Sequence, residues 1–589
     1  MMASKSWILI LFAISLLKPI HAFNAPADVP TWCGKPYKSS NNALNPGGQF
    51  QFAPSQNVPL LYLKIQPRYS IFLESDKVGS FIVDASISNA FGQKYENTTY
   101  DKSGNPSGPF VTLKYEIHNT ESGAVLASNS DAVNSTGNII DFPLSSFAPR
   151  LQPYAISISG TSPDGLQTYS ASTSLYVLPS RLYGSAVRID NLFGGLYVQN
   201  AKNDWKGWYG IFPNGGYADG GHVTPSKTSF ANLDNYASQG FNTISIVPDG
   251  GLPDQSYPID ELNQYWDRMD ELNLFNSYEL RFAFQNTTRL HDQVDLWKNR
   301  TTLLMWYTAD EPDGWSYALN STKIAYDQLR ELDPYHPVSL VLNCQNFYYE
   351  EYSSGADIIL EDAYPVGINA TWSIPWNTPC NLTYGDCGCD NCVGELTDVS
   401  TRLDDIQTYQ NNLQGERIKP TWAVIQTFGK QDYWPRIPSA AEVENMMMLS
   451  INHNAKGLTY WLYPSTTEVN VGSGEFGKVF QSKTGIHFLF GTHAIKGLPV
   501  SGESLVDASA WIVDGKMMVG IASKEHSDSS SSVTIMLPSS VASIDEVLYG
   551  SSGWSVSGRM LTKTGLKALE VGVLVLNLDH TRFYTQRSL

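Results

Sequence analysis

At 589 residues the chain exceeds what one hydrophobic core supports, so several domains are expected. Its net charge of -18 and pI near 5.0 exclude nucleic acid and anionic membrane surfaces as partners, because both need a basic face. Only 16% of residues are charged while 12% are aromatic, a balance that suits a neutral, polyhydroxylated ligand whose ring faces stack on aromatic side chains.

The chain begins like a secretory signal over residues 1–22. Lys5 is followed by the apolar run Trp7 to Leu17, broken by Ser15, and by Ile20-His21-Ala22 at a cleavage position. That run is short for a membrane span, and Asp579 to Leu589 lacks the tail of a lipid-anchor signal, so a secreted protein is expected. Asn-x-Ser/Thr triplets at Asn97, Asn134, Asn286, Asn299, Asn320, Asn369 and Asn381 agree with that compartment.

Residues 23–58 are rich in Pro, Gly, Ser and Asn and read as an irregular leader. Residues 59–180 carry short alternating runs such as Leu60–Leu63, Ser80–Ile87, Val111–Ile117 and Leu175–Leu178, which predict an immunoglobulin-like β-sandwich without the usual Cys-Trp-Cys marker. Residues 183–496 alternate apolar runs with helical patterns. The eight runs are Gly207–Phe212, Asn242–Val247, Tyr278–Phe284, Leu303–Tyr307, Val338–Leu342, Asp357–Leu360, Thr421–Ile425 and Gly457–Leu462. Eight βα units predict a central (β/α)8 TIM barrel, with a capping box at Ser439–Glu442 opening the seventh helix. Residues 497–589 return to short strands, Ser509–Ile512, Met517–Ile521, Ser532–Leu537 and Val571–Leu576, and predict a smaller C-terminal β-sandwich; Ser527–Ser532 reads as a surface loop.

Four of the six cysteines, Cys380, Cys387, Cys389 and Cys392, fall in the long loop after strand six. The Cys-x-x-Cys spacing would suit zinc in a cytosolic protein, but no histidine lies nearby and the leader favours disulfides. Cys33 and Cys344 remain as a long-range pair, although six cysteines leave the connectivity open. The histidines show no metal-ligand spacing, no strand is followed by a phosphate-binding glycine loop, and Gly-x-Ser-x-Gly is absent, so no cofactor and no metal are implied.

In a TIM barrel the catalytic groups sit where strands end. Strand four runs into Asp310-Glu311-Pro312, strand five into Asn343, strand six into Glu361-Asp362-Ala363-Tyr364, strand seven into Gln426 and strand eight into Trp461-Leu462-Tyr463. A local reading competes at strand four, with Asp310 as an N-cap and Glu311 favoured by a helix dipole. The accumulation of polar and aromatic residues at one rim exceeds what packing needs and favours a functional site.

The Asp-Glu-Pro triplet after strand four resembles the acid/base motif of clan-A-type glycoside hydrolases. Asp362-Ala363-Tyr364-Pro365 and Gly457-Leu458-Thr459-Tyr460-Trp461 are similar to the same superfamily of barrel glycosidases. The resemblance implies that Glu311 protonates the leaving glycosidic oxygen. It also implies a nucleophilic glutamate after strand seven, where this chain has Gln426. Asp362 is then the first choice for the second carboxylate, because alternation sets it with Tyr364 and opposite Glu361. Asp249, Asp432 and Glu475 are weaker alternatives.

Around the pair, Asp310 is expected to position Glu311 or tune its pKa, and Trp306, Tyr364 or Trp461 to desolvate it. Trp461, Tyr463 and Trp315 are expected to stack on sugar, and Asn343 and Gln426 to bond ring hydroxyls. The expected function is a secreted glycoside hydrolase acting on a neutral poly- or oligosaccharide. The rival, kept alive by Gln426, is a non-catalytic carbohydrate-binding or cell-surface protein on a decayed barrel. Sugar identity, linkage, stereochemistry and oligomeric state are not legible.

Overall fold

The computed structural model describes residues 29–37, 47–199, 204–214, 230–246, 248, 258–281, 283–415, 417–502 and 505–579. The signal-like segment, Gly215–Tyr217 after the first strand, and Asp249 lie outside the described residues.

Eight parallel strands close into a barrel: β1 (Ile211–Asn214), β2 (Thr243–Ile246), β3 (Phe275–Glu279), β4 (Leu303–Asp310), β5 (Val338–Leu342), β6 (Ile358–Glu361), β7 (Thr421–Gln426) and β8 (Leu458–Trp461). β8 pairs back onto β1 to complete the ring. The strands read as apolar runs because helices cover their outer face and side chains fill the lumen. The helices are α1 (Phe230–Ser238), α2 (Ile259–Leu272), α3 (Thr287–Trp297), α4 (Ser321–Leu332), α5 (Tyr349–Ser353), α6 (Asp398–Asn411), α7 (Ala440–Asn452) and α8 (Thr467–Gln481).

Two strands are displaced from expectation. β1 begins at Ile211, and β3 ends at Glu279, well before Phe284. Asn286, beyond the end of β3, caps α3 by accepting from the Arg289 amide at 3.2 Å. At the barrel floor, Trp422 fills the lumen where Gly210 and Gly457 approach it. A Cβ on Gly457 would stand 2.3 Å from the indole, so larger residues do not fit there.

Ahead of the barrel, two four-stranded antiparallel sheets enclose a separate core in which Phe81 stacks on Phe142 at 4.4 Å. Thr112–Asn119 and Tyr154–Thr161 bury every second residue, the period that makes a sandwich legible. After the barrel, six strands form one antiparallel sheet that the long strand Ser529–Tyr549 bends around a third core. Ser529–Ser532, expected in a loop, opens that strand. Among the described residues no helix is long and apolar enough to cross a membrane.

α7 joins barrel and C-terminal sheet. Its capping box is formed as expected, with Ser439 and Glu442 exchanging hydrogen bonds. Met446, Met447 and Met448 are all buried, as befits a helix packed on both sides. At the end of α7, His453 Nδ1 lies 2.7 Å from Asp404 of α6, and Nε2 lies 3.2 Å from Asp507 of the C-terminal sheet. Burial alone would lower its pKa; the two carboxylates outweigh that and lift it from 6.5 to about 9. A raised histidine pKa stabilises the fold fully below the unfolded value and is lost as pH rises through the folded one. Unfolding free energy should therefore fall by about 2–3 kcal/mol as pH rises from 6.5 through 9, and His453→Gln should flatten that slope in denaturant titrations. An equal slope in the variant would assign the pH dependence elsewhere.

Candidate active site

The C-terminal rim of the barrel opens into a cavity of about 510 Å3 lined by Asp310, Glu311, Asp362, Tyr364 and Trp461, together with Arg281, Tyr307, Phe428 and Trp434. A larger cavity of about 690 Å3 lies at the opposite end, beside the starts of β7 and β8. Among the described residues that line it Asp84 is the only carboxylate, so it offers no facing acid pair.

Glu311 reaches the cavity through an irregular strand end. The β4–β5 register breaks between Tyr307 and Asp310, and Glu311 takes a φ of 49°, a left-handed conformation that non-glycine residues rarely hold. The turn is held by the Glu311 amide on the Val341 carbonyl at 3.1 Å and the Trp315 amide on the Glu311 carbonyl at 3.0 Å. Strain held by such a frame is characteristic of functional positions. Asp310 is not a helix cap, since α4 begins only at Ser321.

Buried Asp313 fastens the same corner to β5. Its carboxylate accepts from the backbone amides of Gly314 and Cys344 at 2.9 Å and of Asn343 at 3.2 Å. Burial lifts this carboxyl to about 7 against the pull of those donors.

Glu311 and Asp362 are hydrogen-bonded to each other. Burial first, and then the charges of Asp362 and Asp310, push Glu311 well above the usual carboxylate range. Burial raises Asp362 as well, followed by Glu361, Asp310 and Asp313, while the bond from Glu311 lowers it. Asp362 also accepts from Asn343 Nδ2 at 3.1 Å, and burial and then the Asp362 charge raise the Tyr364 phenol beside it. Asn343 donates to Asp362, and the bond between the two carboxyls raises Glu311 and lowers Asp362, so the shared proton belongs to Glu311 and the charge to Asp362. Glu361 points the other way and pairs with Arg402 at 2.6 Å.

Asp310 accepts from Tyr307 and pairs with Arg281 at 3.0 Å, and Arg281 also reaches Glu279. Arg281 and Tyr307 were not anticipated. The apolar residues after Arg281 extended the expected third strand past it, and Tyr307 enters the cavity only because of the break in register. Trp315 lines the cavity as well.

Four expected residues of the site require correction: Trp306 beside Glu311, and Gln426, Tyr463 and Asn343 as substrate contacts. Trp306 faces the helix layer, donates to Asp333 at 2.9 Å and is fully buried. Gln426 is consumed by the loop after β6, accepting from the Val366 amide at 2.8 Å and donating to the Val366 and Phe428 carbonyls. Tyr463 packs edge-on against Tyr236 and accepts from Asn235 at 3.2 Å. Asn343 is held between Asp362 and the Trp32 indole, which donates to it at 2.6 Å, so it orients the carboxylate rather than a sugar. Of the weaker acids, Glu475 pairs with Lys478 on α8, and Asp432 is exposed on the loop after β7.

A (β/α)8 barrel with a proton-sharing carboxylate pair at its C-terminal rim is thus the class this chain presents. No family model matches the sequence, and no curated protein matches it. Solved structures similar to it include glycoside hydrolases. A β-glucuronidase from Parabacteroides merdae is 11% identical with a TM-score of 0.30, covering 88% of this chain and 74% of that one. A putative β-galactosidase from Bacteroides fragilis is 10% identical with a TM-score of 0.33, covering 89% and 73%. A GH30 endoxylanase from Clostridium papyrosolvens is 12% identical with a TM-score of 0.38, covering 63% and 96%. Likeness at this level decides nothing about chemistry, and the barrel stands on its own strand pairings.

Proposed function

We propose that the protein is a secreted glycoside hydrolase that cleaves a neutral poly- or oligosaccharide with Glu311 as acid/base and Asp362 as nucleophile. The observation that carries this reading is the pair of carboxyls, Glu311 and Asp362, facing each other inside an aromatic cavity at the barrel rim, with Asn343 donating to Asp362. Contact between the two carboxyls leaves no gap for an intervening water, which favours the closer spacing of retaining enzymes over the wider spacing of inverting ones.

Glu311 gives its proton to the glycosidic oxygen as the bond from that oxygen to the anomeric carbon breaks. An Asp362 oxygen bonds to the anomeric carbon, forming a glycosyl ester. Water then loses a proton to the Glu311 carboxylate and attacks the same carbon. The ester bond breaks and both carboxyls return to their starting states.

A neutral substrate follows from the charges. Among the described residues lining the cavity Arg281 is the only cation, and Asp310 and Glu279 already hold it. A sugar carboxylate would meet uncompensated negative charge there. Secretion is supported by the disulfides Cys33–Cys344, Cys380–Cys387 and Cys389–Cys392 and by the exposure of all seven sequon asparagines. The test is release of reducing ends from a panel of neutral plant and microbial wall glycans, with the first product's anomer read by NMR. Binding without release would remove the catalytic reading; an inverted first product would remove the nucleophile role of Asp362.

A further inference from the structure

A band of aromatic side chains around the cavity mouth takes no part in the two-carboxylate step. It starts at Trp315, which lines the cavity and meets Trp32 edge-on at 5.1 Å. Trp32 belongs to a short hairpin within residues 29–37, covalently fixed to the end of β5 by Cys33–Cys344. On the same hairpin Tyr37 packs against Trp376 at 4.7 Å. Trp376 lies in the disulfide-stapled loop after β6 and donates to the Tyr433 hydroxyl at 2.6 Å. Tyr433 packs on Trp434, which lines the far side of the cavity. Asp386, in the loop after β6, lies beside both Tyr37 and Tyr433, and after burial its charge does most to raise each phenol.

Two features separate this band from ordinary packing. Trp315 and Trp376 keep 59% and 39% of their surface in solvent, although each is anchored by a neighbouring ring. Rigid aromatic faces left open beside a cavity are the usual form of a sugar-stacking surface. Tyr37, moreover, lies within electrostatic reach of Glu311, which puts the hairpin on the side of the proton donor.

We propose that the hairpin at residues 29–37 and the stapled loop after β6 build a second subsite, which binds the sugar on the leaving-group side of the scissile bond in a neutral oligosaccharide. The occupant is the continuation of the glycan whose cleaved residue sits over Asp362, because the aromatic band runs without interruption into the catalytic cavity. This inference rests on the glycosidase reading and adds to it a preference for chains over single glycosides.

The test compares β-1,4-linked glucose, xylose, mannose and N-acetylglucosamine oligosaccharides, from disaccharide to hexasaccharide, with the matching nitrophenyl monoglycosides. Trp376→Ala should lower the ratio of oligosaccharide to monoglycoside kcat/KM about tenfold or more, Trp376→Phe should retain most of it, and Cys33→Ser should lower it as Trp376→Ala does. An unchanged ratio overturns the subsite and leaves the hydrolase reading standing. If wild type cleaves neither class, the hydrolase reading fails, and calorimetric titration of the hexasaccharides decides the subsite alone. Weaker binding by Trp376→Ala supports it; equal binding, or none, overturns it.

Discussion

Glu311→Gln is expected to lower kcat about 10³-fold on glycosides with poor leaving groups and far less on nitrophenyl glycosides, whose leaving group needs no proton. Glutamine preserves the volume and can still bond Asp362, so the folded structure should survive. The pH profile gives the sharper test. In the wild type, kcat/KM falls on the alkaline side as Glu311 loses its proton. Burial, with Asp362 and Asp310 next, holds that proton well past the ordinary range, so the limb lies above that of a solvated glutamate. The variant should lose this limb. If Glu311→Gln keeps it, another group donates the proton.

Asp362→Asn is expected to cost about four orders of magnitude on every glycoside, because ester formation is lost whatever the leaving group. Its residual activity carries a second signature. The Asp362 charge raises Glu311, so removing it lets Glu311 release its proton earlier, and the alkaline limb moves to lower pH. Added azide should restore turnover by attacking the anomeric carbon in place of Asp362, giving a glycosyl azide of inverted configuration. Steady-state rates and product NMR read both effects; full activity in the variant would assign the second carboxylate elsewhere.

The barrel was legible because each of its strands is buried on both faces and stands out as an apolar run between amphipathic helices. Val338–Leu342 has the expected bounds. β3 was misplaced because Leu280 and the apolar residues after Arg281 extend the run beyond the last paired residue, Glu279. That shift hid Arg281. At β4 strict alternation groups Trp306 with Asp310, whereas the break in register brings Tyr307 to Asp310 and turns Trp306 outward. Periodicity carries no trace of such a break. Asp362 and Tyr364 were legible together because regular alternation does hold there. Gln426 misled through its position: a polar residue at a strand end is exposed to substrate only if no loop consumes it, and here Val366 does. The hairpin carrying Trp32 had no local signal, because its place depends on a partner far away in sequence.

That partner is Cys344, 311 positions from Cys33. The bridge encloses the whole N-terminal sandwich and the first half of the barrel in one covalent ring, and in the chain-entropy account closing so large a ring stabilises the fold by about 6 kcal/mol. It also orders biogenesis. The hairpin cannot be fastened until β5 has been synthesised, so the wall of the active site is completed after the domain that precedes it. A protease cut in any surface loop of the sandwich would leave both fragments on one molecule, and only reduction would part them.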